Sequence, residues 1–192
     1  MLPSPCAAPE GAARAGRLLE LSERLAESGR RGEALDAARE ACQVLRGLAR
    51  FTPDTYLADL AEGLSVMAAR LREARRMREG VAVSQETVRI RRRLTRHDYD
   101  AHAPGLAQAL CRLAVDLGAS GDLRDALASA QESVDLYRGL RRDDSFDEET
   151  GVAQALVTLA CCLSESNRPS GAFVTAQQAL TVRRRLVRAD PN

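Results

Sequence analysis

The chain contains no lysine and no tryptophan, and all 28 of its basic residues are arginine. Without lysine there is no amine to complete a P-loop or to form a Schiff base, so chemistries that rest on that side chain are excluded. Aromatic residues make up 3% of the chain, too few for the stacking platforms on which single-stranded nucleic acids lie. No stretch approaches the roughly 18 uninterrupted apolar residues of a membrane span. The opening MLPSPCAAPEGAARAGR has neither the basic n-region nor the apolar h-region of a secretory signal, so the expected location is the cytoplasm and no membrane partner is expected. The five cysteines (Cys6, Cys42, Cys111, Cys161 and Cys162) are odd in number and form no CxxC pair. They read as free thiols, not as a disulfide framework or zinc knuckle. GxSxG, HExxH and glycine-rich phosphate loops are missing, and no nucleophile stands at a recognisable spacing from a base. The expectation is therefore a non-enzyme with no catalytic residues, no metal and no cofactor.

What is present is ordinary globular composition: 192 residues, 45% of them hydrophobic, with 28 basic against 27 acidic side chains and a net charge of +1. That near-balance speaks against wholesale nucleic-acid binding. Arginine with abundant alanine and leucine points to a GC-rich, bacterial genome. The informative feature is self-similarity, because the chain aligns with itself, without gaps, at a shift of 46 residues. Leu18, Leu64, Leu110 and Leu156 share one column. Leu25, Leu71, Leu117 and Leu163 share another, and Leu48, Leu94, Leu140 and Leu186 a third.

Within each block the spacing is helical. Leu18, Leu21, Ser22 and Leu25 form an i, i+3, i+4, i+7 stripe, repeated as Leu64, Met67, Ala68, Leu71 and in the later blocks. The small member of each stripe (Ser22, Ala68, Ala114, Ala160) is where two helix backbones must approach closely. Breaks follow at Ser28-Gly29, Ser120-Gly121 and Ser166-Asn167, residues suited to the left-handed conformation that closes a helix. The second block offers only Ala74-Arg75-Arg76-Met77-Arg78 there, which predicts a tighter, shifted or partly helical bend. A second stripe runs through Leu35, Ala38, Cys42, Leu45 and Leu48, so each block is a helical hairpin.

Start signals punctuate the links. Thr52-Pro53 places a capping hydroxyl before a first-turn proline, Ser145 and Glu148 have capping-box spacing, and Pro169 opens the last helix. Pro104 is expected to delay its helix to about residue 103. The reading is eight helices at about 15–28, 32–49, 54–74, 78–95, 103–119, 123–141, 147–166 and 169–188, after a flexible segment 1–14. The repeats fall at about 15–50, 51–96, 97–142 and 143–190 of a single domain, 15–190.

The series Leu18, Leu21, Ser22, Leu25, Ala34, Ala38, Ala41, with Ala126, Ala130, Ser133 and Ala172, Ala176, Ala179 at the later second-helix positions, resembles the tetratricopeptide repeat (TPR). The longer period is similar to the long-repeat variety of kinesin light chains and of many actinobacterial proteins, and phrases such as FTPDTYLADLAEGL and GEALDAAREA resemble the bacterial group. Leucine and alanine replace the family's aromatics, and Gly80 and Thr87 replace two of its alanines in the second block. The resemblance implies an all-α fold, an α-α superhelix or solenoid of four stacked helical hairpins, whose first helices line a concave surface. It also implies a non-catalytic protein–protein interaction scaffold. By position, that groove would present Glu62, Ser65, Ala69 and Arg72 from the second repeat. The third would supply Gln108, Cys111 and Val115, and the fourth Gln154, Val157 and Cys161. Relatives that clamp a C-terminal carboxylate use basic and asparagine side chains where this chain has Leu19, Ser65, Cys111 and Val157, so no such clamp is expected.

Arginine is concentrated in the second repeat, with Arg75, Arg76, Arg89, Arg92, Arg93 and Arg96 as a candidate basic patch for an acidic protein partner or, less favoured, for nucleic acid. The competing reading is a solvated face with arginines at a helix C-terminus, where the macrodipole favours them. Both histidines fall in His97-Asp98-Tyr99-Asp100-Ala101-His102, a linker whose aspartates serve equally as helix caps. Pro191-Asn192 aligns with Pro53-Asp54, so the chain stops where a fifth repeat would begin. An uncapped last repeat would expose Leu180, Val182 and Leu186 and favour self-association. The expected partner is thus a protein or peptide. The alternatives are the sensor or regulatory arm of a larger bacterial signalling protein, and a nucleic-acid regulator working through the second-repeat arginines.

Overall fold

In the computed structural model, residues 7–140 and 146–189 are described, and the described residues form α-helices joined by tight turns, without strands. The order is α1 (Ala7–Glu27), α2 (Arg31–Phe51), α3 (Pro53–Glu73), α4 (Met77–His97), α5 (Tyr99–Ser120), α6 (Leu123–Gly139), α7 (Phe146–Glu165) and α8 (Pro169–Ala189). They sort into two compact units, Met1–Ile90 and Arg91–Asn192. In the first, α1 packs on α2 and α2 on α3; in the second, α5 packs on α6, α6 on α7, α7 on α8, and α5 also meets α7.

The hairpin turns are the most regular feature. Among the described residues, positive φ occurs outside glycine only at Arg75 (61°) and Asn167 (57°), and among the glycines at Gly29 (77°) and Gly121 (91°). These four residues are one column of the repeat. Around each, the same bond recurs: the next residue's N–H reaches back to the column leucine, Arg30 to Leu25, Arg76 to Leu71, Asp122 to Leu117 and Arg168 to Leu163, all at 2.9 Å. This satisfies a carbonyl orphaned by the helix end. The bend of the second block is therefore neither tighter nor partly helical. Arg75 takes the left-handed conformation that glycine takes elsewhere, because the packed helices on either side hold the turn open to nothing else.

The starts follow the sequence with three corrections. Helix α1 begins at Ala7, ahead of the expected 15, since Pro9 in its first turn loses no helical bond and an alanine-rich run with Glu10 near the N-terminus favours helix. Helix α5 begins at Tyr99 with Pro104 inside it: Asp98 caps the start, its side chain accepting from the Ala101 N–H at 3.1 Å, and the proline removes a single early bond. Thr52 does not cap α3. Its hydroxyl donates to the Leu48 carbonyl at 3.2 Å, because one residue separates α2 from α3 and the exposed end of α2 is closer. The Ser145–Glu148 capping box lies outside the described residues.

The core is built on small side chains. Ser22, Ala114, Ala34, Ala38, Ala41, Ala126, Ala130 and Ser133 are fully buried, with Ala68 and Ala160 nearly so. The two core serines are satisfied across the hairpin, Ser22 donating to the Ala34 carbonyl at 2.8 Å and Ser133 to that of Ala107 at 2.7 Å. The last helix departs from its column-mates: Ala38 and Ala130 are fully buried, whereas Ala176 is exposed.

Two stability experiments follow. A non-glycine residue in the left-handed region carries about 1–2 kcal/mol of strain. Arg75→Gly is therefore expected to raise the thermal midpoint by about 2–4 °C and Gly121→Val to lower it, read by circular dichroism; an unchanged midpoint in Arg75→Gly would remove the strain argument. In urea unfolding, Ala130→Leu is expected to cost about 1–3 kcal/mol by over-packing. The same change one repeat later, Ala176→Leu, should stay within about 0.5 kcal/mol.

Candidate functional site

The second unit contains a cleft of about 440 Å³ lined by Gln108, Cys111, Arg112 and Val115 of α5, Tyr137 of α6 and Gly151, Gln154 and Thr158 of α7. Its shape depends on Gly151. A Cβ there would run into the ring of Tyr137, so the absence of a side chain lets the tyrosine pass beneath α7. Tyr137 is buried, and that burial raises its phenol above the ordinary value. Thr158 donates to the Gln154 carbonyl at 3.1 Å, which leaves its oxygen to accept from the Cys111 thiol at 3.0 Å. Burial pushes the Cys111 thiol up, keeping the proton this bond requires. Above this floor stand the exposed amides of Gln108 and Gln154, one repeat apart, with Val115 exposed beside them. Two amides that each donate and accept, a guanidinium and an apolar patch can bind a peptide backbone. They do not constitute an acid–base pair.

Four of the expected groove residues (Gln108, Cys111, Val115 and Gln154) meet in this cleft. Cys111 contributes to its floor, being buried. Val157 and Cys161 do not join them; they line a second, almost wholly apolar cleft of about 500 Å³ between α7 and α8, with Phe173, Ala176, Leu180 and Arg183. The repeat explains the division: Val157 and Cys161 are the column-mates of Cys111 and Val115, so as the α5 pair turns to α7 the α7 pair turns to α8, while Gln154 and Thr158 line the side toward α5. In the first unit, Glu62 is exposed and Ala69 and Arg72 are half-buried. Ser65 is buried with its hydroxyl donating to the Ala61 carbonyl at 3.0 Å, so it is spent on its own helix.

The basic patch is divided as well. Arg75 is exposed in the α3–α4 turn, while Arg76 grips Glu79 with both guanidinium arms at 2.6 and 2.7 Å. Arg89, Arg93 and Arg96 are exposed, but Arg92 is held by Glu132 at 2.7 Å. The last pair belongs to a ladder that an apolar reading of the columns passes over: Arg46 meets Glu86 at 2.7 Å, Arg92 meets Glu132, and Arg138 meets Gln178 at 3.0 Å, each joining consecutive second helices. The signal was in the sequence, because Arg46, Arg92, Arg138 and Arg184 share one column and Glu40, Glu86, Glu132 and Gln178 another. Arg112, Tyr137 and Thr158 carried no such periodic mark, whereas Gly151 shares a column with Gly105. Among the described residues, no group of three His, Cys, Asp or Glu side chains is placed to hold a metal ion, and no helix is long and apolar enough to cross a membrane.

The four described cysteines are free. Burial raises Cys42 and Cys162 to about 11, so on the order of one thiol in a thousand is ionised at pH 8, whereas Cys161 is exposed. In a Cys6→Ser background, a disulfide-exchange reagent at pH 8 should find one fast thiol, lost in Cys161→Ser, with Cys42, Cys111 and Cys162 released only on unfolding. Rapid reaction of Cys42 in the native protein would contradict the packing described.

No protein-family model and no curated protein matches the chain. Solved structures do. BtubC (BKLC) from P. vanneervenii aligns over 90% of this chain and 64% of its own, with 15% identity and a TM-score of 0.72. The apo form of RapI aligns over 90% of this chain and 43% of its own, with 10% identity and a TM-score of 0.70. Nearly identical TPR-like repeats from Podosopora anserina align over 94% of this chain and 99% of theirs, with 14% identity and a TM-score of 0.56. The chain thus spans less than two thirds of the first two proteins, and identities this low carry the fold alone. With its recurring hairpins and left-handed turns, this chain has the all-α fold of a tetratricopeptide-type repeat protein.

Proposed function

We propose that the chain is a non-catalytic protein-interaction scaffold that binds an extended segment of a partner protein in the α5–α7 cleft. TPR-like repeats suit protein–protein interaction in general, and the observation that carries the specific reading is the pair Gln108 and Gln154, exposed one repeat apart over an apolar patch at Val115. Side-chain amides set at a repeat spacing match a peptide's own alternation of donors and acceptors. Arg112 at the same cleft favours a segment bearing a carboxylate. The pairing of Arg76 with Glu79 and of Arg92 with Glu132 lowers the free positive charge that nucleic acid would need.

The test is affinity capture of the native partner by the full chain, with and without nuclease, comparing wild type with Val115→Arg and with Gln108→Ala/Gln154→Ala. A protein partner retained after nuclease and reduced about tenfold or more by either variant is the expected result. Undiminished capture by both variants, each still folded by circular dichroism, would refute the cleft, and loss of the partner on nuclease treatment would refute the protein-binding reading.

A further inference from the structure

The α5–α7 cleft holds a donor that the protein itself does not use. Tyr137 stands on α6 and passes beneath α7 at Gly151, where an added Cβ would run into its ring. Its column-mate Arg91 passes beneath α5 in the same way at Gly105, where a Cβ would stand 3.0 Å from the guanidinium, and Arg91 already has a partner. Tyr137 is 9% exposed and lines the cleft, yet its hydroxyl has no hydrogen-bond partner among the described residues. A buried phenol ordinarily finds one.

Arg112 enters the same cleft half-buried and makes no ion pair with a described residue. It stands close to both Tyr137 and Cys111: burial raises these two groups, and the charge of Arg112 opposes part of the rise. The net effect keeps the phenol protonated, so it remains a donor. The neighbouring polar groups of the floor are spent, Cys111 on Thr158 and Thr158 on the Gln154 carbonyl. No carboxylate is among the described side chains that line the cleft. A phenol O–H and a guanidinium are both donors, and each loses hydration in a shielded cleft, so an anionic acceptor placed between them recovers what desolvation costs. One guanidinium balances a single negative charge, which a carboxylate carries and a phosphate dianion exceeds.

We propose that Tyr137 and Arg112 form a carboxylate subsite in this cleft, which takes an aspartate or glutamate side chain of the bound segment while Gln108 and Gln154 hold its main chain. The subsite rests on the reading of the cleft as a peptide-binding site and adds the residue type that the site selects. Tyr137 is then a specificity-determining residue, delivered from the second helix through the gap that Gly151 leaves.

The test offers the immobilised full chain two pools of short peptides, acetylated and amidated at their ends. Both are random and free of acidic residues except at the central position, which is aspartate or glutamate in one pool and asparagine or glutamine in the other. Retained peptides are quantified by mass spectrometry. The acidic pool should be retained about tenfold better than its amide counterpart, and the ratio should fall to near one in Tyr137→Phe and in Arg112→Gln. Tyr137→Phe keeps the ring beneath Gly151 and removes only the hydroxyl, so the circular dichroism spectrum should match wild type. Arg124→Gln, which removes an exposed arginine outside the cleft, should leave the ratio unchanged. A ratio near one in wild type, or an undiminished ratio in Tyr137→Phe, would overturn the subsite. So would stronger retention of a pool with central phosphoserine, or of the amide pool bearing a free C-terminal carboxylate, than of the acidic pool. Retention of both pools that Gln108→Ala/Gln154→Ala leaves undiminished would refute the cleft itself as a peptide site, and this inference with it.

Discussion

Within each hairpin two helix backbones meet where nothing larger than a small side chain fits, and this close approach underlies the rest of the structure. Ser22 against Ala34, Ala107 against Ser133, and the buried alanines around them leave room for main chain to lie beside main chain. Where serine stands in place of alanine its hydroxyl finds a carbonyl on the facing helix, so no polar group is left orphaned. The leucines of the repeat then fill the space on either side, and the turn at the hairpin's end has one geometry available. That is why Arg75 adopts a conformation normally reserved for glycine and asparagine.

Polar contacts between successive second helices are layered on that packing. The pairs Arg46–Glu86 and Arg92–Glu132 are partly exposed, so each contributes at most about 1 kcal/mol. Their value lies in register, since a slip of one turn would set arginine against apolar neighbours. The same pairs withdraw arginines from the surface, so a run that looks strongly basic in the sequence is partly neutralised in the fold. On α8, whose row contains arginine and no acid, that neutralisation is missing from the helix itself.

The two clefts follow from the same periodicity. Helices α3 and α7 each lie on the second helix before them and approach it most closely at a glycine, Gly63 at Leu45 and Gly151 at Tyr137. Where the crossing helix is flanked by another first helix, as α7 is by α5, the exposed side chains over the gap are polar and a mixed cleft results. At α8, where no described helix lies over the second helix, the cleft against α7 is lined mainly by apolar side chains.

Much of this was legible in the residues themselves. The period of 46, the hairpins, the three turns marked by Gly29, Gly121 and Asn167 and the free thiols at the described cysteines all follow from local composition and spacing. Local rules failed where a neighbour in space had the last word. Pro104 reads as delaying its helix until Asp98 is seen to cap six residues before it, and the bend at Arg75 reads as irregular until packed helices give it the same left-handed turn as the others. Ser65 reads as a groove hydroxyl until its helix claims it, and the groove residues of α7 divide because its two sides face different neighbours, Gln154 toward α5 and Val157 and Cys161 toward α8. Sequence alone determined the repeat and its helical character, since periodicity and capping act within a few turns of chain. Which side chains share a cleft and which arginines are held across helices were decided only by tertiary structure, because those depend on contacts between different helices, 40 positions apart for Arg46–Glu86 and Arg92–Glu132 and 47 for Cys111–Thr158.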